Sequence, residues 1–296
     1  MMKRRNFLKN ATAAVAAMGV TANALSTTQP SLIQKRIDIA IATICLDGFG
    51  DENFEPAFSM IPEIGIKNVE FNVWYPRNIT PSGIASIRDR CYETGLRPIS
   101  LQGTSFGGEG NVVKDVSHKL WLMTQAKALG ANIVKFTGSK RGTAGGLDSV
   151  IKVLKELAPA AEEMDVTVVV ENHANNNIEN IADYDSIFEA VDSSHIGMCL
   201  DMGHFDGASV SNFDVIKRFH TKIFHIDIKD TIAFGTYKTV PLGSGSTDCV
   251  GIVKDLVDRG YQGYMVIEQA PPMEGLDLIQ EMRRIKDIFM PFVKAG

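Results

Sequence analysis

The stretch FHIDIKD, residues 224–230, alternates Phe224, Ile226 and Ile228 with His225, Asp227 and Lys229. A β-strand sends alternate side chains to opposite faces. One face of this strand is therefore apolar, and the other carries an imidazole, a carboxylate and an ammonium. Three neighbouring runs repeat the pattern. In 166–171, Val166, Val168 and Val170 oppose Thr167, Val169 and Glu171; in 196–201, Ile196, Met198 and Leu200 oppose Gly197, Cys199 and Asp201. In 263–268, Met265 and Ile267 oppose Tyr264, Val266 and Glu268. The apolar set is expected to face covering helices, and the set ending in an acid to face inward.

Strand-like runs also occur at 37–44, 68–73, 97–102 and 132–137, which brings the number to eight with the run at 222–228. Helical patterns lie between them, at 111–129, 147–164, 178–191, 248–259 and 274–292. Eight strands alternating with helices in a chain of 296 residues predict an α/β fold of the (β/α)8 TIM-barrel class. An open doubly wound sheet is the alternative, but no G-x-G-x-x-G turn follows the first strand. No linker divides the body, so residues 36–296 read as one barrel domain.

Each inward acid ends its strand, on the rim where barrels of this class place their active sites. Glu171, Asp201, Asp227 and Glu268 thus converge, and four ionised carboxylates need a counter-charge. One divalent cation would supply it; separate salt bridges to lysine or arginine are the alternative. The all-oxygen set favours Mg2+ or Mn2+, whereas a histidine ligand would shift the preference toward Mn2+, Co2+ or Zn2+. Of the two inward groups on 224–230, Asp227 lies nearer the rim and is read as the ligand. His225 sits roughly 6.6 Å deeper and is read as a hydrogen-bonded support. Lys229 is placed either to meet a substrate oxygen or to balance the acids. Glu70, Trp74 and Gln102 share the inward parity on earlier strands and are candidates for the far end of a substrate. Cys45, closing the first strand, reads as packing.

A formal charge of −5 argues against an electrostatic grip on nucleic acid or anionic lipid. Cys45, Cys91, Cys199 and Cys249 have no metal-knuckle or redox spacing. Residues 1–25 have a basic start, an alanine-rich apolar run and an Ala22-Asn23-Ala24 exit, the pattern of a signal peptide. Arg4-Arg5 followed by Asn6-Phe7-Leu8 resembles a twin-arginine export signal. The expected location is periplasmic, without a membrane anchor, because the apolar run is too short to span a bilayer. Cleavage removes Lys3, Arg4, Arg5 and Lys9 and no acid, which takes the balance from −5 to −9.

These residues resemble the xylose-isomerase-like TIM-barrel superfamily of sugar isomerases and epimerases, over most of 37–292. VVVENH (168–173) resembles the fifth-strand motif whose Glu binds metal, which implies Glu171. CLDMGH (199–204) resembles an acid-x-x-His motif and implies Asp201 as ligand, with His204 supporting the site or touching substrate. FHIDIK (224–229) supports Asp227, and MVIEQ (265–269) implies Glu268 as both ligand and acid/base. VPLGSGSTD (240–248) resembles a Gly-rich loop before the seventh helix. Most relatives carry H-x-K-D, with histidine where this chain has Asp227, and the second-metal acids of xylose isomerases are missing.

The resemblance implies a sugar isomerase or epimerase with one divalent metal and a small carbohydrate substrate. The metal would hold the carbonyl oxygen while Glu171 and Glu268 move a proton on the adjacent carbon. His204 and His173 would donate to sugar hydroxyls, although His173 also reads as a surface loop histidine. Two rival readings keep the fold: β-elimination from an exported 3-keto-glycoside on the same site, and a non-catalytic periplasmic sugar-binding barrel. The sugar is not specified, and homo-oligomerisation is left open. Replacing Arg4 and Arg5 with lysine is expected to trap the precursor in the cytoplasm, read by fractionation; normal export of that variant would exclude the twin-arginine route.

Overall fold

A computed structural model describes residues 37–49, 53–107, 110–143 and 145–293. The expectation of a signal peptide over residues 1–25 lies outside them. Strands β1 (Asp38–Ala42), β2 (Asn68–Asn72), β3 (Arg97–Gln102), β4 (Ile133–Thr137), β5 (Thr167–Glu171), β6 (Ile196–Asp201) and β7 (Ile223–Ile228) follow in order. Two short strands come next, β8 (Asp230–Thr231) and β9 (Thr239–Val240), and then β10 (Tyr264–Ile267). Seven strands and β10 close a parallel barrel in the order β1-β10-β7-β6-β5-β4-β3-β2, while β8 and β9 pair antiparallel outside it. This is the expected (β/α)8 TIM-barrel class.

The expected helices are present as Val112–Leu129, Gly146–Met164, Ile181–Ala190, Cys249–Asp258 and Leu278–Phe289. The ends follow local chemistry. Asn111 accepts from Lys114 N at the first turn of one helix, and Gly130 ends that helix in the left-handed region at φ 81°. Asn180 and Asp183 form a reciprocal capping box on another. Strand β6 leads into two helices, Met202–Gly207 and Asn212–Phe219, in a stretch where no helical pattern was read from the sequence. Among the described residues, no helix is long and apolar enough to cross a membrane.

The helix-facing side chains behave as the alternation requires. Val168, Val170, Ile196, Met198, Leu200, Ile226, Ile228, Met265 and Ile267 are buried in the main core between barrel and helices. Tyr184 reaches in from its helix and donates its hydroxyl to Val170 O at 2.9 Å. Inside the barrel, Ile133, Val169 and Cys199 form a separate apolar cluster, with Phe224 and Tyr264 packed on it. The charged side chains lie above that plug.

Two details depart from the sequence reading. Strand β1 stops at Ala42, and Cys45 sits in a short helix, Ile44–Asp47, with its thiol directed to Ile267 O at 3.2 Å. Phe224 does not join the helix-facing row. The β6–β7 register runs Met198↔Ile223 and then Cys199↔His225, so Phe224 is an extra residue whose ring packs on the interior plug. Gly197 makes that possible, because a Cβ there would collide with the Phe224 ring and come 2.9 Å from Lys222 O. Gly197→Ala is expected to lower unfolding free energy by about 1–3 kcal/mol, the usual cost of overpacking. Denaturant titration reads this, and an unchanged midpoint would show that the bulge does not depend on the glycine.

Candidate active site

The acids at the strand ends meet. Glu171, Asp201, Asp227 and Glu268 each offer an oxygen, and these four atoms all lie within 4.8 Å of one another. Asp201 and Asp227 are direct register partners on β6 and β7. Glu268 follows β10 by one residue and is fixed by its N–H to Ile228 O at 3.1 Å. Asp201 is positioned from its own helix: Oδ1 accepts from His204 N at 2.8 Å as the N-cap of Met202–Gly207, leaving Oδ2 free for the site. Asn172 clamps the same residue, accepting from Asp201 N and donating to Asp201 O, both at 2.9 Å.

Two lysines stand among these acids. Lys229 Nζ lies 2.7 Å from Asp201 Oδ2 and 3.4 Å from Glu268 Oε2. It also donates to His204 Nε2 at 3.1 Å, which places that imidazole's own proton on Nδ1. The Lys229 stem runs over Gly203, where a Cβ would come 2.8 Å from Lys229 Cγ. Lys229 therefore balances the acids, one of the two roles read from the sequence, and also lines the wall of the cavity.

Lys135, from the middle of β4, is the second lysine and was absent from the sequence reading. Its ammonium contacts Glu70 Oε1 at 2.6 Å and Asp227 Oδ2 at 2.7 Å. Glu268 Oε1 is 3.7 Å away and Glu171 Oε2 4.0 Å. The signal for it was present: NIVKFT, 132–137, holds one charge at inward parity in an apolar strand. Burial alone would lower the Lys135 pKa, but Asp227, Glu268, Glu70 and Glu171 together raise it well above the lysine range.

His225 lies beneath the rim as expected, fully buried, with Nε2 3.0 Å from Glu70 Oε2 and 3.6 Å from Asp227 Oδ1. Glu70 needs correction as a substrate contact. It is wholly inaccessible, lies against the Lys135 ammonium and the His225 ring, and accepts from the Ser100 hydroxyl at 2.6 Å. The strand continues two residues beyond it to Asn72, so parity was right and depth was wrong. Burial works against ionisation of Glu70, yet Lys135 and His225 hold its carboxyl well below the usual range. Asp227 and Glu171 shift the other way. Burial comes first in both, and nearby acids add to it against the pull of Lys135; Asp227 rises to about 7 and Glu171 well above the carboxylate range.

Above this layer opens a cavity of about 850 Å3. Glu171, Glu268, Lys229, His204 and His173 line its floor and one wall, and Phe49, Trp74 and Tyr237 line its outer part. The His173 and His204 rings lie with centroids 4.0 Å apart, and burial lowers both pKa values. His173 is thus a cavity group rather than a loop histidine on the surface. Trp74 stacks on Phe49 with centroids 5.3 Å apart. Gln102 donates to Glu171 Oε2 at 3.0 Å and accepts from Asn72 Nδ2, so it orients an acid of the site. Asp230, which follows Lys229, accepts from the N–H groups of Gly243, Gly245 and Thr247 at 2.8–3.1 Å. It thereby shapes the Gly-rich loop at 240–248.

The donor set suits a divalent cation. Five carboxyl groups, counting Glu70, face two ammoniums, and the raised pKa values of Asp227 and Glu171 mark a crowding of acids that a divalent cation would relieve. Asp227 Oδ1 is buried without a hydrogen-bond partner. Lys229→Met is expected to leave Asp201 without its ammonium partner, with Glu268 still near Lys135, and to cost about 3 kcal/mol of unfolding free energy. Denaturant titration measures it; a variant as stable as the parent would show that the ammonium does not hold these acids.

Residues 58–288 match the family model described as xylose isomerase-like TIM barrel. Inosose dehydratase of Clostridium perfringens is 22% identical over 277 residues, covering 80% of this chain and 91% of that protein. Inosose dehydratase of Klebsiella pneumoniae is 24% identical over 258 residues, covering 74% and 83%. Among solved structures, the IOLI protein with a binding zinc atom superposes with a TM-score of 0.71 at 17% identity, over 87% of this chain and 98% of that one. The 3-keto-D-glucoside 4-epimerase of E. coli gives 0.68 at 18% identity, over 87% and 99%. With the model spanning most of the barrel, the chain belongs to the xylose isomerase-like TIM barrel family.

Proposed function

We propose that the protein is a sugar-modifying enzyme that moves a proton on a carbon next to a carbonyl. The observation that carries this is the pairing of Glu171 and Glu268 on the floor of one cavity with the Lys229 ammonium beside them. A C–H next to a carbonyl is acidic enough to be removed only if the oxygen's developing charge is stabilised and a base is in reach. Lys229 supplies a fixed positive charge at the cavity wall for that oxygen. Glu171 and Glu268 come from strands three steps apart in the barrel order, and are placed to take the proton and return it. His173 and His204, both neutral, are placed to exchange hydrogen bonds with sugar hydroxyls. Trp74, stacked on Phe49, offers an apolar face to the far end of the substrate.

Glu171, Asp201, Asp227 and Glu268 would hold a divalent ion, and its chemistry there would be Lewis-acid polarisation of the carbonyl. The all-oxygen donors favour Mg2+ or Mn2+.

Return of the proton to the same carbon from the other side gives epimerisation, and to the neighbouring carbon gives isomerisation. Loss of a β-substituent instead gives elimination, a reading favoured by the dehydratases among the sequence relatives. Both readings share the first step. A cavity of about 850 Å3 is large enough for a glycoside as well as a free sugar. Incubation with ketoses, aldoses and 3-keto-glycosides in D2O is expected to exchange one α-proton, read by NMR. Glu171→Gln and Glu268→Gln should each slow that exchange by about 100-fold or more. No exchange with any of the panel, or undiminished exchange in both variants, would refute the reading.

A further inference from the structure

Lys135 enters the site from β4, a strand that contributes none of the four clustered acids. It is wholly buried, and its ammonium lies within 4.0 Å of three of them, Asp227, Glu268 and Glu171. Asp227 Oδ2 takes the shortest of these contacts and also accepts from the Cys199 thiol at 3.0 Å. The ammonium has a second anchor in Glu70 Oε1 at 2.6 Å, on the side away from the cavity. Glu70 is itself held in place by His225 and Ser100.

We propose that Lys135 competes with a divalent cation for Asp227, so that the barrel carries its own regulator of ion affinity. A cation bound by all four acids must share Asp227 with a unit positive charge that already engages it. Repulsion between the two charges at a few ångströms in a buried site is large. Glu70 lets Lys135 release Asp227 without becoming an unpaired buried charge. The proposal rests on the proton-transfer reading only in using the same four acids.

Its test measures ion binding and not turnover, so that failure here leaves the proton-transfer reading standing. Mn2+ alone is titrated calorimetrically into the chelator-treated full chain and into Lys135→Met. The variant is expected to bind Mn2+ at least about tenfold more tightly. In an Asp227→Asn background the same Lys135 substitution is expected to give a clearly smaller gain, because charge repulsion remains but the competition for Asp227 is gone. If Lys135→Met does not fold, Lys135→Gln, which keeps a donor without the charge, carries the same comparison. Equal or weaker Mn2+ binding after removal of the ammonium would overturn the proposal. So would a gain of the same size in the Asp227→Asn background, or no Mn2+ binding to any of these proteins.

Discussion

Five carboxylates converge at one end of this barrel, and the structure depends on how that charge is balanced. An isolated carboxylate in a protein interior is too costly to stay ionised. Here Lys135 bridges Glu70 and Asp227 from below, and Lys229 joins Asp201 and Glu268 from above. Breaking the contacts of Lys135 would leave unpaired charge in a place water does not reach. The crowding of acids that remains is the electrostatic property that suits the site to a cation.

The fold supplies that arrangement in layers. An apolar plug of Ile133, Val169 and Cys199, with Phe224 and Tyr264 on it, closes the lower barrel. A charged layer of Glu70, Lys135, His225 and Asp227 rests above it, cut off from solvent. Glu171, Glu268 and Lys229 then face the cavity. Small residues make the layers fit. Gly197 admits the Phe224 ring, and Gly203 admits the stem of Lys229. Asp201 does double duty, capping a helix with one oxygen and holding Lys229 with the other.

Much of this was legible in the sequence because strand parity is a strict geometric rule. The period of two in β5, β6, β7 and β10 put the four acids inside and at one end, and they are found together. Depth was harder to read. Glu70 obeys the same parity yet lies beneath the cavity, because where a strand ends is set by tertiary contacts and not by its own pattern. The Phe224 bulge was invisible for a related reason: a one-residue register shift depends on Gly197 across the strand pair. Lys135 had its own signature, a single charge at inward parity in an apolar strand, but its partners came from strands distant in sequence.

The four acids and two lysines form one electrostatic unit at the floor of the cavity. The most direct measurement is a crystal soaked with Mn2+ and examined by anomalous diffraction at the manganese edge. The predicted result is a single peak among Glu171, Asp201, Asp227 and Glu268, with the Lys135 ammonium drawn off Asp227 onto Glu70. A peak elsewhere, or a peak at the four acids with the Lys135–Asp227 contact unchanged, would contradict it.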